Sequence, residues 1–121
     1  MKVEDLIVYQ MALEIGDEIY KIVDKWESFE KWTTGKQLLE AADSIAANIS
    51  EGYGRYFYKE NRQFQYYSRG SQSETKTWLT KANNRNLISS EIYNELMQKL
   101  EILAIKHNAY INSIGSKPID K

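Results

Sequence analysis

Helical periodicity is the feature of this 121-residue sequence that most limits its possible folds. Between residues 93 and 114, apolar and aromatic side chains recur at alternating spacings of three and four. They are Tyr93, Leu96, Leu100, Leu103, His107, Tyr110 and Ile114. This spacing places all of them on one face of an α-helix, whereas a half-buried strand requires a period of two. The stretch therefore predicts a long amphipathic helix that starts at an N-cap, Ser89 or Ser90, and ends at Gly115.

Three more stretches show the same periodicity, which predicts helices at about residues 3–28, 34–51 and 59–83. The predicted inward residues of the first are Tyr9, Ala12, Gly16, Ile19, Val23 and Trp26, flanked by Val8, Ile15 and Ile22. Those of the second are Leu38, Ala41, Ala42, Ile45 and Ile49, followed by Gly52 as a left-handed C-terminal cap. Those of the third are Phe64, Tyr67, Ser71, Thr75, Trp78 and Ala82.

The connections between these helices are short, which predicts that neighbouring helices are antiparallel. The sequence has only six glycines and one proline, and it shows no alternating pattern of a sheet. We therefore expect an all-α protein that forms an antiparallel up-down-up-down four-helix bundle. The bundle is expected to be a single domain over residues 1–121, with residues 115–121 as a flexible C-terminal tail.

Composition excludes several classes of function. The chain has no cysteine, so disulfides, thiolate nucleophiles and cysteine metal sites are excluded. Its single histidine, His107, is too few for a di-iron bundle site, which needs two Glu-x-x-His pairs. No run of 18 apolar residues exists, so no membrane span is expected. We expect a cytoplasmic protein without a metal or cofactor, and with His107 as a hydrogen-bonded core residue.

The glycines of Gly52-Tyr53-Gly54 follow a predicted helix, whereas a dinucleotide-binding loop requires a strand before them. Small and polar residues on the second and third helices instead predict a structural polar network between the helices. Its residues are Ser44, Asn48, Glu51, Gly52, Ser71 and Glu74. An alternative interpretation makes Glu51 and Glu74 an acid and base pair of an enzyme. No catalytic residue is assigned on the first interpretation.

Charge is distributed unevenly along the chain. Residues 1–51 contain five Lys/Arg and eleven Asp/Glu, whereas residues 52–121 contain eleven Lys/Arg and six Asp/Glu. Such a molecule can bind copies of itself acid to base, or offer its basic part to RNA. Aromatic and basic residues also alternate after residue 52, which predicts a partner or RNA surface. Its residues are Arg55, Tyr56, Tyr58, Lys59, Arg62, Arg69, Lys81 and Arg85.

The sequence resembles one bacterial family, the four-helix-bundle or rRNA-intervening-sequence proteins. That family also contains the accessory variability determinant of diversity-generating retroelements. The shared motifs are Ser44-Ile45-x-x-Asn48-Ile49-x-Glu51-Gly52-x-Gly54-Arg55, then Phe64 and Gly70-Ser71-x-x-Glu74. The resemblance extends over residues 5–90 and includes Leu6-x-x-Tyr9-Gln10-x-Ala12 and Gln37-Leu38-x-x-Ala41-Ala42. Leu39-Glu40 departs from the arginine that members often carry beside the alanine pair.

The resemblance implies a small bundle that assembles into a homopentameric ring. It also implies possible partners for such a ring: rRNA or another structured RNA, or a reverse-transcriptase-like protein. The function expected from sequence is therefore a non-enzymatic, oligomeric scaffold that binds RNA or an RNA-handling protein. The alternative is a protein–protein adaptor with no nucleic-acid role.

Overall fold

The computed structural model describes residues 1–115, which contain four long α-helices and no strand. The helices are α1 (Ile7–Asp24), α2 (Lys36–Tyr53), α3 (Tyr58–Asn84) and α4 (Ser90–Ser113). A 3₁₀ turn at Val3–Asp5 precedes α1. A helical turn at Ser28–Glu30 continues through a π-helical turn, Lys31–Gly35, into α2. Residues 116–121 of the predicted flexible tail lie outside the described residues.

Hydrogen bonds and ion pairs between the helices show that successive helices are antiparallel. The Tyr53 hydroxyl at the end of α2 donates to the Met1 carbonyl at 2.7 Å, beside the start of α1. Lys76 of α3 lies 3.8 Å from Glu101 of α4, and Thr80 bonds Tyr93 further along the same pair of helices. Since α4 also packs against α1, the four helices close an up-down-up-down bundle. The predicted four-helix bundle is confirmed.

Aliphatic side chains of all four helices form one buried cluster. The five residues predicted to face inward from α2 are each at most 1% exposed. On α4, Leu96, Leu100 and Leu103 are buried as predicted, and the Ser89 hydroxyl caps the helix by accepting from the Ile92 amide at 3.1 Å. Periodicity therefore located the inward faces of α2 and α4 correctly, because those faces are apolar.

The inward face of α3 was predicted only in part: Thr75 and Ala82 are buried as predicted, but the other four residues are not. Tyr67 is 51% exposed, and Phe64 and Trp78 are only half-buried. The buried residues of α3 follow an alternating spacing of four and three, and most of them are polar. They are Asn61, Gln65, Ser68, Gln72, Thr75, Leu79 and Ala82. The α3 helix is thus rotated so that a polar face packs into the bundle and aromatic side chains turn towards solvent.

Gly52 also has a different role from the predicted left-handed cap. It lies inside α2 and is buried, and α2 ends at Gly54 with a φ of −77°. A Cβ on Gly52 would lie 2.6 Å from the Gln65 amide nitrogen and 2.9 Å from the Asn61 carbonyl oxygen. Glycine is therefore required because α2 and α3 approach closely here, and not because the backbone is left-handed. The left-handed glycine is Gly115, with a φ of 87°, after the end of α4.

Two glycine-to-alanine substitutions provide a matched test of this packing. Gly52→Ala is expected to destabilise the protein by about 1–3 kcal/mol, because the new methyl group overlaps the α3 backbone. Gly70→Ala has no heavy atom within 4 Å of its Cβ and is expected to stabilise it by about 0.5–1 kcal/mol through helix propensity. Urea unfolding monitored by circular dichroism measures both. Equal effects of the two substitutions would contradict the close approach of α2 and α3.

Candidate nucleic-acid interface

A buried hydrogen-bond network fixes how α3 is oriented in the bundle. The Gln65 Nε2 group donates to the Ile49 carbonyl at 3.1 Å and to the Asn61 Oδ1 atom at 2.8 Å. Three positions along, the Ser68 hydroxyl donates to the Ile45 carbonyl at 3.0 Å. These bonds join the polar side chains of α3 to backbone oxygens of α2. Within residues 1–115, no buried side-chain nitrogen or oxygen lacks a partner, so the polar face is fully satisfied.

His107 extends the network to α4. Its side chain is fully buried, and its Nε2 donates to the Gln65 Oε1 atom at 2.8 Å. Its Nδ1 accepts from the Gln72 side-chain amide at 2.9 Å, which fixes the neutral tautomer with the proton on Nε2. Burial lowers the pKa of His107 to about 4, with the nearby Arg69 charge acting in the same direction. The prediction that His107 is a hydrogen-bonded core residue is confirmed.

The residues predicted to form a polar network between α2 and α3 are placed differently. The Ser44 hydroxyl and the Asn48 amide donate to carbonyls of their own helix, at 2.7 and 2.9 Å. Glu51 and Glu74 are both exposed, and Ser71 is half-buried. Gly52 of the predicted set lies at the α2–α3 contact. Hydrogen bonds from α3 to the backbone carbonyls of α2 come instead from Gln65 and Ser68, which lie on the buried face of α3.

Because the polar face of α3 packs into the bundle, several aromatic side chains of residues 56–67 lie at the surface. Tyr56, Phe57, Tyr66 and Tyr67 are between 46% and 69% exposed. Arg69 lies over the Tyr66 ring at 5.6 Å, and Arg55 lies over the Phe64 ring at 4.7 Å. Aromatic rings held at the surface beside guanidinium groups can stack with unpaired bases or with side chains of a protein partner.

The predicted partner surface is divided between two sides of α3. Arg55 pairs with Glu51 of α2 at 2.8 Å, and Arg85 donates to the Thr34 hydroxyl in the π-helical turn. Lys81 lies over the Trp78 ring on that same side of α3. Tyr56 is exposed and lies just before α3, and Tyr58, the first residue of α3, is half-buried. The remaining predicted residues, Lys59, Arg62 and Arg69, lie towards the α4 side or the outer surface.

The α4 side of α3 carries a continuous row of basic and polar residues, called here the basic stripe. It consists of Lys59, Arg62, Tyr66, Arg69, Ser73 and Lys76, at spacings that alternate between three and four. This spacing places them along one face of the helix. Arg62 donates to the Ile114 carbonyl at 3.2 Å, and a groove of about 190 Å³ lies between α3 and α4 beside Arg69 and Lys76. Lys76 and Tyr66 were not included in the predicted partner surface, although their spacing places them on this face.

Sequence reasoning also missed a larger recess between α1 and α2, called here the α1–α2 groove. It has a volume of about 520 Å³ and is lined by Val23, Leu39 and the exposed aromatic residues Tyr20 and Trp32. It adjoins a second recess of about 330 Å³, and Asp43 lines both. Trp32 falls in a predicted connection, so periodicity gave no reason to assign it to a surface. An exposed tryptophan in a short connection was the available signal.

Two other kinds of site have no counterpart in the described structure. Across residues 1–115, no three histidine or carboxylate side chains come together in a way that could hold a metal ion. No helix in this range is both long and apolar enough to cross a membrane.

The fold and this surface define an all-helical bundle with a basic, aromatic-bearing face. The family model for the 23S rRNA-intervening sequence protein matches residues 4–109, and the chain belongs to this family. A solved structure with the same fold is a protein of unknown function from the S23 ribosomal protein family of Bacteroides thetaiotaomicron. It is 21% identical, with a TM-score of 0.82 over 93% of this chain and 99% of that one. No curated protein matches the sequence.

The histidine of the network provides a direct test of its burial. Because the sequence contains one histidine, its Cε1–H signal in NMR spectra is unambiguous, and we expect it to titrate near pH 4. The unfolded chain has a pKa near 6.5 and binds the proton first. Stability is therefore complete above pH 6.5 and falls by up to about 3 kcal/mol as the pH drops to 4. A midpoint at or above pH 6.5 would show that His107 is not buried.

Proposed function

We propose that this protein is a non-enzymatic RNA-binding protein that contacts RNA through the basic stripe of α3. The observation that carries the proposal is the Arg69 guanidinium held 5.6 Å from the centre of the exposed Tyr66 ring, within a row of further cations. A base without a pairing partner can stack on such a ring, while the arginine and its neighbours bind the phosphates on either side.

The distribution of charge supports this choice of surface. Residues 54–86 contain seven Lys/Arg and two Asp/Glu, so α3 is the basic part of a chain whose net charge is −1. Along the stripe itself, the carboxylate that pairs with a cation is Glu101, 3.8 Å from Lys76. The opposite side of α3 is less favourable to a polyanion, because Glu51 and Glu60 lie beside Arg55 there. RNA is therefore expected on the α4 side of α3.

The number of cations limits the strength of binding. The stripe offers four cations, of which Arg62 already donates to a carbonyl. Three or four phosphate contacts predict weak binding with a strong dependence on salt. The slope of log K against log salt concentration should be roughly −2 to −4.

The surroundings of the candidate catalytic groups support a non-enzymatic role. Both ring nitrogens of His107 are bonded to buried glutamine amides, so the histidine is not positioned as a general base for a substrate. Glu51 and Glu74 are exposed, and Glu51 pairs with Arg55 at 2.8 Å.

Self-association is the second part of the proposal. Residues 1–51 have an excess of six acidic charges and residues 52–121 an excess of five basic charges, which favours contact between unlike parts of two copies. The resemblance to ring-forming relatives suggests a homopentamer. Multi-angle light scattering is expected to give a mass of several chains. A mass of about 14 kDa at every concentration would contradict self-association.

RNA binding can be tested with a fluorescent RNA hairpin that has a single-stranded loop. Wild-type protein should bind it at low salt and release it as salt rises. Tyr66→Ala removes one stacking surface and is expected to weaken binding by about 5- to 150-fold, which corresponds to 1–3 kcal/mol. Adding Lys59→Ala and Arg69→Ala should weaken it further. Fluorescence anisotropy measures each affinity.

The matched control changes one aromatic residue and two cations in and just after α1, namely Phe29, Lys21 and Lys25, to alanine. These three side chains are exposed, and the control should bind the hairpin within about twofold of wild type. Equal loss in both triple variants would move the RNA surface away from α3. Absence of binding by wild type at low salt would favour a protein–protein adaptor. A reverse-transcriptase-like protein is the protein partner to test in that case.

A further inference from the structure

The α1–α2 groove and the basic stripe lie on opposite sides of the bundle. The α1 helix packs against α2 and α4, and α3 completes the square between α2 and α4. The groove between α1 and α2 therefore faces away from the groove between α3 and α4. Two surfaces so placed on one molecule can each contact a different neighbouring copy.

The groove is apolar at its base, and its edge carries the carboxylates Asp24, Glu40 and Asp43 together with Lys31 and Lys36. Trp32 and Tyr20 are 69% and 56% exposed. Neighbouring aromatic side chains exposed to this extent are typical of a surface that binds a partner. Asp17, Glu40 and Asp43 line the two adjoining recesses. Within residues 1–115, none of these three carboxylates forms an ion pair.

Lys31 pairs with Asp24 at 3.7 Å, whereas Asp43 forms no ion pair within residues 1–115. Its Oδ1 atom lies 2.8 Å from the position that a Cβ on Gly16 would occupy, so the carboxylate is held against α1. Partial burial, and then the neighbouring Asp17 charge, raise the pKa of Asp43 above its usual range. A cation brought to this edge would relieve that repulsion.

The basic stripe has the complementary chemistry. Arg69 and Lys76 flank the α3–α4 groove, whose α4 wall contains Ala104 and Asn108. Ile105, which is 66% exposed, follows Ala104 on α4 and offers an apolar contact beside the cations. Arginine and aromatic residues are the side chains that stable interfaces favour at their centres.

We infer that the α1–α2 groove of one copy binds the basic stripe of a second copy. The guanidinium of Arg69 meets the aromatic side chains of the groove, and the cations meet Asp17, Glu40 and Asp43. Each copy uses its groove for one neighbour and its stripe for the other, so the contact is heterologous and closes into a ring or extends into a filament.

This inference rests on the proposed self-association and names the two surfaces that form it. It adds a consequence for RNA binding, because RNA is proposed to use the same stripe. An RNA molecule and the groove of a neighbouring copy then compete for Arg69 and its neighbours. Adding RNA is expected to reduce the mass of the assembly.

Charge reversal on each surface separately tests the contact. Asp17→Lys with Glu40→Lys changes the groove, and Arg69→Glu with Lys76→Glu changes the stripe. Each double variant is expected to have the mass of one chain in light scattering. Mixed in equal amounts, they should form a complex of at least two chains, because the groove variant retains an intact stripe and the stripe variant retains an intact groove.

A control and a neutral variant complete the experiment. Glu91→Lys with Glu95→Lys reverses two exposed charges on α4 outside both surfaces and should keep the wild-type mass. Trp32→Ala removes an exposed side chain without adding charge and should also reduce assembly. Circular dichroism spectra confirm that each variant is folded.

The results separate this inference from the RNA proposal. The groove variant should bind the RNA hairpin at least as tightly as wild type, whereas the stripe variant should lose binding at least tenfold. Assembly that survives both charge reversals, or a mixture that stays monomeric, would overturn the groove–stripe contact. Either result leaves RNA binding to be judged by the anisotropy experiment alone.

Discussion

The side chain of Gln65 is the contact on which the arrangement of the bundle depends. Its amide group donates to the Ile49 carbonyl of α2 and accepts from His107 of α4, so one residue of α3 joins three helices. Each of these partners is buried, and losing one bond leaves a polar group unsatisfied at a cost of about 1–3 kcal/mol. A hydrogen-bonded core of this kind has fewer alternative packings than an apolar one, because the bonds form in a single rotation of the helix.

That rotation also determines what α3 presents to its surroundings. Tyr66 and Arg69 each follow a buried residue of the network, Gln65 and Ser68, and are therefore turned about 100° away from the bundle interior. The polar network and the basic stripe are thus two sides of the same helix. The small residue Gly52 is part of the same arrangement, since any side chain there would push α2 away from Asn61 and Gln65.

Much of the fold could be predicted from periodicity, and the misses have physical causes. The faces of α2 and α4 were correct because their buried residues are mainly leucine, isoleucine and alanine, whose burial follows from hydropathy. The face of α3 was right only at Thr75 and Ala82. Asn61, Gln65 and Gln72 were missed because they are buried through hydrogen bonds to other helices, and hydropathy ranks them below the aromatic residues. Their spacing of four and seven was visible in the sequence, but their partners on α2 and α4 appear only in three dimensions. For the same reason Tyr66 and Lys76 were absent from the predicted partner surface.

A double-mutant cycle at Gln65 and His107 tests this account most directly. Gln65→Leu, His107→Leu and the double variant are compared by urea unfolding at pH 7. Each single substitution leaves a buried partner without its hydrogen bond, so the double variant should lose less stability than the sum of the two. The expected coupling is about 1–3 kcal/mol. Additive losses, within about 0.5 kcal/mol, would show that the two side chains do not join α3 to α4.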